Sequence, residues 1–165
     1  MIRITPATTN DFKTIQDIAY KTWPATYGAI LSEEQLSYML TNFYSEETLK
    51  DNLVNKGHHF ILALEDDNCL GFASFEHNYQ NKNKTHIHKI YILPETQGKG
   101  IGKKLLDAVE QSGLEIGSDI LSLNVNRYNT ALGFYKKNGF EITQEIDITF
   151  GEGYLMEDYI MEKKL

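Results

Sequence analysis

The sequence predicts an α+β fold with a mixed, mostly antiparallel sheet, its elements in the order β-α-α-α-β-β-β-α-β-α-β-β. Three observations predict it. Helical spacing of apolar residues fills the first third of the chain and returns after residue 101, while alternation governs most of the rest. A strand, a glycine-rich turn and a helix adjoin one another without a break across residues 90–106. No repeat, linker or low-complexity segment interrupts the 165 residues, so one domain, 1–165, is expected, large enough to bury a substantial core.

The first strand comes from Ile2 and Ile4, which alternate with Arg3 and Thr5. Thr9 or Asn10 caps a helix carrying Phe12, Ile15, Ile18, Ala19 and Trp23. Pro24 is expected to stop it near Trp23, leaving residues 23–28 as an aromatic-bearing connection. Ser32-Glu33-Glu34-Gln35 reads as a capping box for a helix through Leu36, Met39, Leu40 and Phe43. Ser45 caps a third helix, through Leu49, Leu53 and Val54. Strands are predicted over 59–64 and 69–77, joined by the turn Asp66-Asp67-Asn68, with Gly71 as a bulge site. Residues 78–84 read as an exposed loop, with Tyr79 as its one apolar anchor. A strand over 85–93 enters the glycine loop, and the helix beyond ends near Gly113. Residues 120–125 alternate as a strand. A short helix over 130–137 stops at Asn138-Gly139, and strands over 140–148 and 154–161 close the chain.

Composition narrows the function. The net charge is −7. That argues against nucleic acid as a partner, which wants a basic face. It suits a cationic small substrate. No apolar run is long enough to span a bilayer, and residues 1–6 lack the layout of a signal peptide. The single cysteine, Cys69, excludes an intrachain disulfide and offers no zinc cluster. No metal and no membrane association are expected, and the cytoplasm is the default location.

The glycine stretch carries the chemistry. Pro94 ends an apolar strand. Gly98, Gly100 and Gly102 then permit backbone angles that side chains forbid, and a close approach by a ligand. A helix begins inside the loop, so free N–H groups and the positive end of its dipole converge on an anion site. Lys99, Lys103 and Lys104 add positive charge. The spacing fails two phosphate loops. A Walker loop needs six residues between its outer glycines inclusive, followed by Lys and Ser or Thr; here the span is five and Lys104 follows Lys103. A dinucleotide fingerprint needs a small residue where Lys103 or Leu105 stands.

What remains, Gln97-Gly98-Lys99-Gly100-Ile101-Gly102, resembles the pyrophosphate loop of the GCN5-related N-acetyltransferases, the GNAT family. Residues 126–140, with Asn129, Ala131, Phe134-Tyr135 and Gly139-Phe140, resemble that family's second signature. The element order resembles the family over the whole chain. The resemblance implies a GNAT-like sheet flanked by helices on both faces, and transfer of an acetyl group from acetyl-CoA to a primary amine. It assigns Tyr135 as general acid to the departing thiolate. Backbone groups of Ile90, Tyr91 and Ile92 would pair with the pantetheine arm, and Gln97, Gly98, Lys99, Gly100, Ile101, Gly102 and Lys103 would hold the pyrophosphate. One departure stands out: a single residue, Thr130, separates Asn129 from Ala131, where the family often has two. The cofactor contact is therefore open between Asn129 and Asn126, or the Tyr128 position. The base is open too. His88 stands where many relatives carry Glu on the strand feeding the loop, Glu76 is a second candidate, and water a third. His86 and His88 also read as ordinary strand residues on one face, with Ile87 on the other. Trp23, Tyr27 and Tyr44 are candidates to line the acceptor site. The chain especially resembles the bacterial polyamine (spermidine/spermine) acetyltransferases, and Glu152, Glu157 and Asp158 lie where a polycation would meet them. Protein, peptide or other small-amine acceptors stay open, as does pairing of two copies in a homodimer. The alternative of another class, a non-catalytic acyl-CoA-binding regulatory module, would be marked by loss of the loop or the proton donor; both are present.

Overall fold

The computed structural model describes residues 1–165. The order is β1 (Ile2–Pro6), α1 (Phe12–Tyr27), α2 (Glu33–Phe43), α3 (Glu46–Val54), β2 (His58–Glu65), β3 (Asn68–Glu76), β4 (Lys84–Ile92), α4 (Ile101–Glu115), β5 (Ile120–Asn126), α5 (Leu132–Lys137), β6 (Glu141–Thr149) and β7 (Leu155–Lys164). This is the predicted order. Seven strands form one sheet, β1-β2-β3-β4-β5-β7-β6. Every pairing is antiparallel except β4 with β5.

The sheet divides two apolar layers. On one face Phe12, Ile15, Trp23, Met39, Tyr44 and Leu49 of α1–α3 and their connections pack against Phe60 and Phe72. On the other, Leu105, Leu106 and Val109 of α4 meet Ile87, Leu121, Leu123 and Met161. The 3.6-residue spacing of the helical positions builds the layers, because it puts them on one stripe.

The first helix does not stop at Trp23. It runs through Pro24 to Tyr27, and the Gly28 N–H bonds the Pro24 carbonyl at 2.9 Å. Proline removes one helical bond, to Tyr20, which lies on the exposed side. Trp23 and Tyr27, 3% and 6% exposed, hold the last turn in the core and outweigh that loss. The start also differs: Thr8 caps a 3-10 turn over Thr9–Asp11 that leads into α1, its hydroxyl accepting from the Asn10 N–H, with Asp11 closing a capping box. At α2 the Ser32 hydroxyl accepts from the Gln35 N–H as expected, but the Gln35 amide reaches away to the Leu155 carbonyl at 2.7 Å. The box is half formed, and α2 is tied to β7. Helix α4 passes Gly113 and ends at Glu115, because Gly113 is packed against Thr85 and Leu165 rather than acting as a cap.

Two bulges set which side chains face which layer. Ala63 faces Gly71 and Leu64 faces Cys69, so the bulge in β3 falls on Leu70, beside the expected Gly71. In β4, Ser74 faces Lys89 and Phe75 faces Ile87, which leaves His88 as the extra residue. That bulge resets the alternation. Ile87, Ile90 and Ile92 point to the α4 layer. His88, Lys89 and Tyr91 point to the α1–α3 layer.

Candidate functional site

Strands β4 and β5 run side by side only from Lys84 with Ile120 to Ile87 with Leu123. Beyond that they part. The edge of β4 facing β5 then has no strand partner over 88–92, while its other edge stays paired to β3 as far as Gly71 with Ile92. A cleft of about 730 Å³ fills the parting. An unpaired strand edge offers amides to any ligand that can lie along it as an extra strand.

The glycine loop closes one end. Gly98 and Gly100 have φ of 92° and 74°, a region that side chains rarely enter. Gly100 caps α4 with no side chain of its own, so the first N–H groups of α4 stay free and face the cleft. A Cβ on Gly102 would stand 2.9 Å from Ile92 Cδ1 and 3.3 Å from a Phe134 ring carbon, which is why α4 can start so close to β4. Loop, dipole and open strand edge together fit a ligand with a pyrophosphate and an amide-bearing arm.

Of the residues singled out in the sequence, His88, Ile90, Tyr91, Ile92, Gln97, Gly98, Gly100, Ile101, Gly102, Lys103, Asn129 and Tyr135 line the cleft. Lys99 and Asn126 do not. Lys99 turns outward to Glu65, at 3.5 Å. Asn126 is buried, its amide nitrogen on Met156 Sδ and its oxygen accepting from the Tyr128 N–H. Asn129 accepts from the Ala131 N–H at 2.8 Å and so starts the turn into α5. Lys103 lies at the cleft and also bonds Asp107. The cleft further includes Asn124 and Thr96, which the sequence did not single out, and Thr130 and Phe134, which it named only as parts of the second signature. Asn124 had one signal: it is the polar, outward residue of an alternating strand, and that strand leaves its neighbour at just this point.

Tyr135 reaches the cleft from α5 and is 7% exposed. Burial raises its hydroxyl above the ordinary tyrosine value, so it holds its proton at neutral pH. Tyr27 and Tyr91 also line the cleft, and their hydroxyls share a hydrogen bond of 3.0 Å. Behind them Trp23 donates to the Tyr44 hydroxyl at 3.2 Å. Trp23 and Tyr44 are core residues; of the three aromatics considered for the acceptor site, only Tyr27 reaches the cleft.

His88 belongs to a cluster. Its Nε2 lies 2.9 Å from Glu76 Oε1, and His58 Nε2 lies 3.3 Å from the same oxygen. Burial holds His88 down at about 4, with Lys89 and Lys56 adding to the effect, so the ring is neutral at physiological pH. His86 stacks on Tyr79 at 4.1 Å and bonds Ser122, which anchors the loop after β3 to the sheet. The His58 and His88 rings stack with centroids 4.0 Å apart and planes 12° apart. Two nearly parallel rings cannot both contain one metal ion in their planes at the ~2.1 Å of a zinc–nitrogen bond. The trio is held by the His88–Glu76 hydrogen bond and the His58–His88 stack rather than arranged as a metal centre.

Comparison with known proteins agrees with this geometry. Residues 29–162 match the family model of the acetyltransferase (GNAT) domain. The chain is 32% identical to a spermidine N(1)-acetyltransferase of Thermoplasma acidophilum, over 99% of this chain and 97% of the relative. It superposes on the crystal structure of PaiA N-acetyltransferase from Thermoplasma acidophilum in complex with coenzyme A with a TM-score of 0.84, at 31% identity, covering 100% of this chain and 99% of the other. It is also 25% identical, over 99% of its length and 98% of the relative's, to an uncharacterised N-acetyltransferase of Lactobacillus delbrueckii subsp. lactis. The chain belongs to the GNAT family of acetyl-CoA-dependent N-acetyltransferases.

Proposed function

We propose that the acceptor is a primary amine of the polyamine class, acetylated by direct attack on the thioester in the cleft between β4 and β5. The observation that carries the site is the parting of those strands, with the free start of α4 at one end and Tyr135 on the wall. The identity to a spermidine acetyltransferase and the net charge of −7 support a cationic acceptor.

The residues divide the work. N–H groups of Gly98 to Lys103 bind the pyrophosphate, and the open edge of Ile90 to Ile92 pairs with the amide-bearing arm. The thioester then lies along the open edge of β4. A backbone N–H near Ile92 donates to the oxygen on which charge develops. The incoming ammonium must first lose a proton, since an alkyl amine is charged at neutral pH. Neutral His88, held by Glu76 through its Nε2, passes that proton from its free Nδ1 on to water rather than keeping it, since burial disfavours the charged ring. The amine nitrogen bonds the acyl carbon, the carbon–sulfur bond breaks, and Tyr135 gives its proton to the sulfur. The charge balance and the lone, half-buried Cys69 suit work in the cytoplasm.

An acceptor panel tests the acceptor class. Wild-type protein is given acetyl-CoA with spermidine, 1,4-diaminobutane, free amino acids or a peptide, and products are identified by mass. The polyamines should show the highest kcat/KM. Preference for amino acids or peptides, with polyamines inert, would reject the acceptor class.

A further inference from the structure

Of the three acidic residues near the end of the sheet, only one turns inward. Glu152 is exposed, and Glu157 is half-exposed beside Arg127. Asp158 is 7% exposed, on the side of β7 that carries Met156 into the α1–α3 layer. It pairs in register with Asn126 of β5. Its carboxyl lies beside the Asn124 side chain, which favours the charged form, and close enough to Tyr27 to perturb that phenol. Both Asn124 and Tyr27 line the cleft.

One oxygen of this carboxylate, Oδ1, is buried and has no hydrogen-bond partner. The nearby cation does not supply one. Arg127 donates to the Asp158 backbone carbonyl through Nε, while its two terminal nitrogens go to Asp147 at 2.7 Å and Glu157 at 3.6 Å. Lys89 is no partner either, because its ammonium points the other way, toward the Tyr44 and Phe60 rings. A buried acceptor left unpaired costs about 1–3 kcal/mol, and more when charged. Glu76, the other acid on this face near the cleft, already hydrogen-bonds the His88 imidazole at 2.9 Å, with His58 Nε2 3.3 Å from the same oxygen.

We propose that Asp158 is the anchor for an ammonium group of the acceptor, set between Asn124 and Tyr27 beside the cleft. The assignment rests on the amine-acetylating reading and names the side chain that selects a cation. Burial raises Asp158 to about 6, which leaves it ionised at neutral pH. A polyamine chain bound there extends away from Lys89, because like charges repel.

The test is calorimetry on CoA-loaded protein with spermidine as the probe. D158N should weaken spermidine by at least about tenfold, the loss expected when one partner of a buried charge pair is removed. CoA affinity should stay within about twofold, and E157Q, which alters an outward acid, should leave both affinities unchanged. Spermidine binding D158N as tightly as wild type overturns the anchor, and so does a wild-type protein that binds no spermidine. A second readout needs no variant: carbonyl ¹³C NMR of the wild-type protein should show the Asp158 carboxyl signal move on saturation with spermidine. An unmoved signal overturns the assignment even where D158N fails to fold. Thiol release separates the two readings: binding through Asp158 with no turnover would reject acetyl transfer to the amine and leave the anchor standing.

Discussion

In the proposed reaction the Tyr135 hydroxyl is the group that carries the proton to sulfur. Burial raises its pKa, so it keeps that proton at neutral pH. Y135F keeps the ring and its packing against Phe134 and Phe140 and removes only the hydroxyl. General acid catalysis is worth ~10²–10⁴-fold, so kcat should fall by about that factor while CoA affinity, read by calorimetry, holds. An unchanged kcat would take the role from Tyr135. Single residues also show how far the sequence could be read. Gly98 and Gly100 were legible because their positive φ demands glycine. Lys99 and Asn126 looked equivalent to their neighbours, since a motif gives residue types and not side-chain directions. Tertiary packing turned Lys99 to Glu65 and Asn126 to Met156.

Strand β4 is the element that joins fold to chemistry. Its alternation predicted His86 and His88 on one face, and their rings do meet, 4.9 Å apart. The bulge at His88 left no mark in the sequence, because it depends on the register with β3. Helix α1 is the reverse case: Pro24 gave a strong local stop, and the burial of Trp23 and Tyr27 overrode it. The imidazoles around β4 set a pH dependence. Burial holds His58, His86 and His88 at about 4, about 3 and about 4, below the ordinary 6.5. As pH falls the unfolded chain takes these protons first, so stability is full above about 6.5 and is lost toward about 4. Asp158 opposes this between its ordinary 3.8 and about 6, one group against these three and His77, which burial also lowers. Thermal melts should therefore give a lower midpoint at pH ~5 than at pH ~7. An equal or higher midpoint in acid would contradict burial of three neutral rings.

For the whole molecule, element order was readable because it comes from local periodicity, while the helices on both faces of the sheet were implied only by the family resemblance. The sheet order was not. That β7 inserts between β5 and β6, and that β4 and β5 pair over four residues before parting, are consequences of long-range packing. Yet the parting is what makes the cleft. No helix is long and apolar enough to cross a membrane. Everything assigned to the cleft depends on acetyl-CoA lying along the open edge of β4 with its pyrophosphate on the start of α4. Amide hydrogen exchange with and without CoA reads that placement residue by residue. Exchange should slow over 88–92 and 98–103, with β1 and β6 unchanged. Protection confined to another surface, such as the groove between α1 and β2 lined by Asp17, Ile18 and Leu64, would contradict it.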